Sequence, residues 1–279
     1  MNERSKIRPA MVAGFFYPQK KLDLEREIAV YLENAPEINI RGKIIALVAP
    51  HAGYIYSAGV AARAYRLIMD QDISVVAVIS PSHREYFTEI SIYDGYAYST
   101  PLGVIPIEKS LAQKLADTNP QIILSEKGHR FEEHALEVQL PFLQEVLDDF
   151  KLIPIVLGEH SSDNIETLAI GLASVLKDEK SLIVASSDLS HFYNADKATT
   201  LDNVVVNDIK DFDEDKLFQD LRRGKCEMCG GGPVAAAMKA SKLLGANKSE
   251  VLMYRHSGDV SGDRNEVVGY LSAVFYQQN

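Results

Sequence analysis

Two cysteines in 279 residues cannot build a disulfide framework, and their scarcity fits a reducing compartment. No apolar run approaches the roughly 20 residues of a membrane-spanning helix. The opening stretch from Met1 to Pro9 lacks the apolar core of a signal peptide. These absences make the cytoplasm the expected location. Positive charge is also short, with 29 Lys and Arg against 39 Asp and Glu for a formal net charge of −10. A surface of that sign suits neither nucleic acid nor an anionic membrane. No G-x-S-x-G occurs, so a hydrolase nucleophile elbow is absent. No repeat of 20 to 50 residues, low-complexity tract or Pro/Ser-rich linker divides the chain. Residues 1–279 therefore read as one α/β domain, a common size for that class. The sequence leaves a homo-oligomer open.

What is present is organised around Ile44 to Tyr54, IIALVAPHAGY. Ile44 to Ala49 is short, apolar and rich in β-branched residues, which predicts a buried strand. Pro50 ends it and His51 follows at once. The pattern recurs where Val75 to Ile79 leads into Ser80-Pro81-Ser82-His83, and where Leu182 to Ala185 leads into Ser186-Ser187-Asp188-Leu189-Ser190-His191. In open α/β sheets ligands bind outside the carboxyl ends of the strands. Three strands each carrying a His past that end predict one shared pocket.

Around this frame, Leu22 to Leu32 reads as an amphipathic helix, and Gly59 to Met69 as a helix joining the first two His-bearing strands in a βαβ unit. Ile90 to Tyr93, Ala97 to Ser99 and Gly103 to Pro106 are short strand-like pieces forming a hairpin or excursion. Ser110 to Ala116 reads as a short helix, Phe131 to Asp149 as a longer one, and Asn164 to Leu176 as another. Lys151 to Leu157 is a further buried strand. Asp213 to Leu221 and Pro233 to Leu244 are expected helices, and Val251 to His256 with Val267 to Tyr276 a closing strand pair.

Chemistry-bearing residues cluster in two further places. Cys226 and Cys229 form a lone C-x-x-C before Gly230-Gly231-Gly232-Pro233. Two cysteines are too few for an all-thiolate zinc site. Cys229, beside the start of a helix, has the setting of a lowered thiol pKa and of a metal-binding thiolate. It is equally a small buried residue next to a flexible loop. The glycines permit close backbone approach, and they match neither a dinucleotide fingerprint nor a P-loop. Asp188 is near enough in sequence to orient the His191 imidazole, or it is a helix cap beside a surface His. His129, His134, His160 and His256 lack such context; His134 with Glu133 and Glu137 could edge a pocket, with a solvated helix face the favoured reading. The Ser257 to Asp259 and Ser261 to Asp263 pieces read as turns.

Taken together, AGFFYP, APHAGY, SPSH, EEHALEVQLPFL, SSDLSH, CGGGP and SGDVSGD with VVGY resemble, in order, the Memo family. That family is similar in fold to the class III extradiol dioxygenases, non-haem iron enzymes that cleave catechol rings. The resemblance implies a three-layer αβα sandwich around a mostly parallel or mixed sheet. It implies a metal site of His51, His83 and Cys229, with His191 in the place of the dioxygenases' acid/base His and Asp188 beside it. A thiolate replaces the carboxylate of the dioxygenase triad, and thiolates are softer and easily oxidised. Memo-like proteins are linked to iron or copper with redox activity, and to peptide or phosphopeptide binding. The expected function is a metal-dependent oxidoreductase-like protein holding iron or copper. The alternative is a non-catalytic protein that holds a peptide or small molecule in the same cleft, and a weaker one is a zinc hydrolase.

Overall fold

The structure, a computed structural model, describes residues 7–278. Residues 1–6, on part of which the expectation of no signal peptide rests, and residue 279 lie outside the described residues. In chain order the elements begin with β1 (Ile7–Arg8), α1 (Lys21–Asn34), β2 (Lys43–Ala49), α2 (Tyr54–Tyr65) and β3 (Val75–Pro81). Next come β4 (Ile90–Tyr93), β5 (Ala97–Thr100), β6 (Gly103–Pro106), α3 (Lys109–Asp117), β7 (Ile122–Ser125), α4 (Leu140–Val146) and β8 (Lys151–Leu157). The chain continues through α5 (Ser162–Leu176), β9 (Ser181–Ser186), β10 (His191–Tyr193), α6 (Ala195–Lys210) and α7 (Glu214–Arg222). It ends with α8 (Gly231–Leu243), β11 (Lys248–His256), α9 (Gly258–Ser261) and β12 (Val267–Gln277).

A 9-stranded mixed sheet runs in the order β10-β12-β2-β9-β3-β8-β4-β7, with β11 also paired to β12. Its centre, β2, β9, β3 and β8, is parallel. These strands are nearly continuous apolar runs because both faces are covered. On β3, Val75, Ala77 and Ile79 pack into one core and Val76 and Val78 into the other; on β9, Ile183 and Ala185 alternate with Leu182 and Val184 in the same way. The first core takes Leu115 of α3, Leu168 of α5, Leu217 of α7 and Ala236 of α8. The second takes Ile28 of α1, Tyr65 of α2 and Phe142 of α4. The fold is a three-layer αβα sandwich on a mixed sheet. A small sheet of order β1-β5-β6 contains the predicted hairpin.

Several expectations change. β9 inserts between β2 and β3, so the βαβ unit joins two parallel strands that are not neighbours. The long helix expected over Phe131 to Asp149 is only a 3-10 turn at Glu137–Gln139 followed by α4. Phe131 and Glu132 adopt positive φ of 54° and 61°, which breaks any helix there, and Pro141 sits at the start of α4. Helix α6 was not anticipated. It is opened by Asn194, whose side chain accepts from the Lys197 amide, and it buries Leu201, Val205 and Ile209. No described helix is long and apolar enough to cross a membrane.

Candidate metal centre

Parallel pairing decides what meets. Ala49 of β2 is level with Ser186 of β9, and Ile79 of β3 with Ala185. Three strand ends therefore open on one edge, delivering His51, His83 and Asp188, each two residues past its strand. Cys229 arrives from the opposite direction, on the loop before α8. Its amide donates to the Asp188 carbonyl at 3.2 Å, and the Asp188 amide donates to its Sγ at 3.3 Å. Gly230 makes that approach achievable. A Cβ there would lie 2.2 Å from the Ser186 carbonyl oxygen, so only glycine fits.

His51, His83 and Cys229 each place one ligand atom within 4.8 Å of the others. The Nε2 atom of His51 is 3.2 Å from the Cys229 sulfur. The side chains behind these rings settle their tautomers. Ser186 has one hydroxyl hydrogen, donated to the Ala135 carbonyl at 2.6 Å. It must then accept from Gln139 Nε2 at 2.8 Å and from His51 Nδ1 at 2.9 Å. The Gln139 amide is oriented in turn by the Pro50 carbonyl and the Tyr65 hydroxyl. His51 thus carries its proton on Nδ1 and presents a lone pair on Nε2. His83 is oriented by another route: its Nδ1 lies 3.1 Å from Glu133 Oε1, and its amide donates to Glu133 Oε2 at 2.5 Å. Burial alone would raise the Glu133 carboxyl, but its hydrogen bonds from His83 pull it down to about 2. An ionised carboxylate only accepts, so His83 Nδ1 is the donor, which leaves Nε2 as the nitrogen that could face a metal.

Of the two readings of Glu133 and His134, the favoured solvated helix face is overturned and the pocket edge holds. Glu133 is buried, and the His134 ring packs 4.8 Å from His83, 5.3 Å from His51 and 4.6 Å from Phe16, centroid to centroid. Burial, together with the neighbouring His51, lowers the His134 pKa. His83, Glu133 and His134 form a second close set of potential ligands. However, Glu133 Oε1 already accepts from the amides of His134 and Ala135 at 3.0 and 3.1 Å, so it serves His83 chiefly as a fixed hydrogen-bond acceptor.

Two further expectations are corrected. Asp188 does not hydrogen-bond His191; its Oδ1 accepts from the His51 amide at 2.8 Å, tying two strand ends together. His191 stands at the start of β10, half-buried, and shares a cavity with Cys229. The Cys229 thiol is pushed up to about 12 by burial and by the Asp188 carboxylate, which outweigh the hydrogen bonds it receives from the Asp188 amide, Ser187 and the Gly230 amide. Cys226 is buried in the hydrophobic core and stays clear of the cluster. One signal was missed: His160 follows β8 by three residues, as His51 and His83 follow their strands, and its ring lies where a Cβ on Gly232 would clash at 2.7 Å.

A mixed αβα sandwich with imidazoles and a thiol gathered at parallel strand ends defines the class of this protein. The sequence profile described as Memo-like protein matches residues 8–274. A MEMO1 family protein of Methanosarcina barkeri is 38% identical over 271 residues, covering 96% of this chain and 99% of the relative. Those of Methanobrevibacter smithii and Aquifex aeolicus are 37% and 35% identical over 284 and 271 residues, covering 96% and 97% of this chain and 99% of each relative. The chain belongs to the Memo-like family. Among solved structures, the uncharacterized protein JW3007 of Escherichia coli K12 has the same general fold, with a TM-score of 0.54 at 14% identity, covering 82% of this chain and 99% of that one.

Proposed function

We propose that this protein is a metal-dependent oxidoreductase-like protein whose ion is held by His51, His83 and Cys229. The observation that carries the reading is the pair of imidazoles locked with Nδ1 protonated, one by Ser186 and one by Glu133, beside a thiol. Two imidazoles and a soft sulfur suit iron, copper or zinc rather than magnesium or calcium. Iron or copper, the expected cofactor, would supply one-electron chemistry that the side chains themselves lack. The chain's own part is to keep both Nε2 lone pairs available, to bring the sulfur to them through Gly230, and to exclude water around the buried His51. His191, on the wall of the adjoining cavity, gives or takes a proton there. Asp188 holds the His51 backbone.

The test is metal analysis of protein purified without oxygen, followed by oxygen consumption with catecholic and thiol reductants. Bound iron or copper with reductant-dependent oxygen uptake supports the proposal. Zinc with ester turnover would replace it with a hydrolase, and a metal-free protein that binds peptide tightly would replace it with a binding protein.

A further inference from the structure

The cavity that touches Cys229 has a composition of its own. It encloses about 440 Å³ between β10, α7 and the start of α8, within the usual range for small-molecule pockets. Leu189, Phe218, Leu221 and Met228 make its walls apolar. Its two charged lining residues, Arg222 and Glu227, are not equivalent. The Glu227 carboxylate accepts from the Tyr193 hydroxyl at 2.5 Å and is thereby engaged. The Arg222 guanidinium is exposed and makes no ion pair or hydrogen bond with another described residue; it only leans over the Phe218 ring at 5.9 Å. Gly231 and Gly232, the first residues of the 13-residue α8, also line the cavity and add the positive end of a helix. His160, His191, Cys226 and Cys229 are the other titratable groups facing it. Burial lowers His160 to about 4, so that ring is neutral at pH 7.

We propose that this cavity is the substrate pocket and that it takes a small, mainly apolar monocarboxylate, its acid group at Arg222 and its apolar body running inward to Cys229 and His191. One unpartnered guanidinium matches a single negative charge. The volume holds a molecule of roughly ten to twenty non-hydrogen atoms. The gradient from exposed Arg222 to half-buried Cys229 sets the direction of entry. The assignment of the occupant as substrate rests on the redox reading above, whereas recognition of the acid does not.

The probes are phenylbutyrate and its neutral isostere phenylbutyramide, titrated calorimetrically into metal-loaded and metal-free protein. The acid is expected to bind about tenfold or more tightly than the amide, the scale of one charge-assisted hydrogen bond. Arg222→Ala should erase that preference, Arg222→Lys should keep part of it, and Phe218→Ala should weaken both probes alike. Arg222 is exposed, so its variants leave the core intact. Equal binding of the two probes, no binding of either, or a preference that survives Arg222→Ala overturns the proposal. Metal content and oxygen uptake on the same samples keep the readings apart: acid selectivity without a redox metal would sink the oxidoreductase reading and leave acid recognition standing as that of a binding protein.

Discussion

The Nε2 atom of His51 lies 3.2 Å from the Sγ atom of Cys229, across 178 residues of chain. If His51, His83 and Cys229 hold the ion, His51→Ala, His83→Ala and Cys229→Ser each abolish stoichiometric metal with near-native circular dichroism. Glu133→Gln loses the ionised acceptor for His83 Nδ1 and should weaken metal binding by about 10–100-fold. Competition with a chelator of known affinity measures both effects. Full occupancy in any of the three ligand variants removes that residue from the set.

Gly230→Ala tests the approach of the sulfur. The new Cβ meets the Ser186 carbonyl oxygen at 2.2 Å unless the backbone moves. A stability loss of about 1–3 kcal/mol is expected, together with weakened metal binding as Cys229 retreats. Thermal melts and metal titration of the same variant read the two. Wild-type metal affinity would mean that the loop adapts without displacing the sulfur.

Cys226→Ser should leave metal content unchanged. Burial, with nearby aspartates, pushes the Cys226 thiol up to about 12, which makes it inert at neutral pH. The cost is a hydroxyl in an apolar site, about 1–3 kcal/mol in a denaturant titration. Loss of metal, or a Cys226–Cys229 disulfide in freshly reduced protein, would restore the redox-pair reading.

His191→Ala should retain the ion and lose turnover by about 10²–10⁴-fold, the usual scale of acid–base contributions. Asp188→Asn keeps an oxygen to accept from the His51 amide and should do less harm. Asp188→Ala deletes that acceptor and should reduce metal affinity as well as rate. Oxygen uptake at equal metal loading compares them, and equal rates for wild type and His191→Ala would leave only unassisted metal chemistry.

Acid stability should depend on His129, far from the metal cluster in role. Its ring lies between the Tyr98 hydroxyl, 2.5 Å from Nδ1, and the Ser91 carbonyl, 3.3 Å from Nε2. Burial, then the Arg8 charge, pulls its pKa down to about 3 from an ordinary 6.5. The unfolded chain therefore takes up this proton first as pH falls. The stability contribution is whole above pH 6.5 and shrinks toward pH 3, with about 2 kcal/mol gone by pH 5. Urea titrations at pH 7 and pH 5 should show a smaller drop for His129→Gln than for wild type. An unchanged drop would assign the acid sensitivity to other groups.

Much of the frame was legible in the residues. Ile44 to Ala49, Val75 to Ile79 and Lys151 to Leu157 are short β-branched runs, and a strand buried on both faces needs that composition. Parallel strands place the residues after them on one sheet edge, so His51 and His83 could be expected to meet. Cys229 as their third partner came from the family resemblance, because no local pattern links residues so distant in sequence. The 131–149 stretch was misread because the apolar spacing of Leu136, Leu140 and Leu143 mimics a helix, whereas Phe131 and Glu132 turn the backbone left-handed.

What the sequence by itself determined is the strand and helix grammar of an αβα sandwich and the family to which the chain belongs. Tertiary structure alone decided that Glu133 serves His83, that Ser186 serves His51, and that Asp188 grips the His51 backbone instead of the His191 ring. Periodicity reports which face of an element is buried. The partner of a buried polar group depends on strand order and register, and here the insertion of β9 between β2 and β3 brought those groups together.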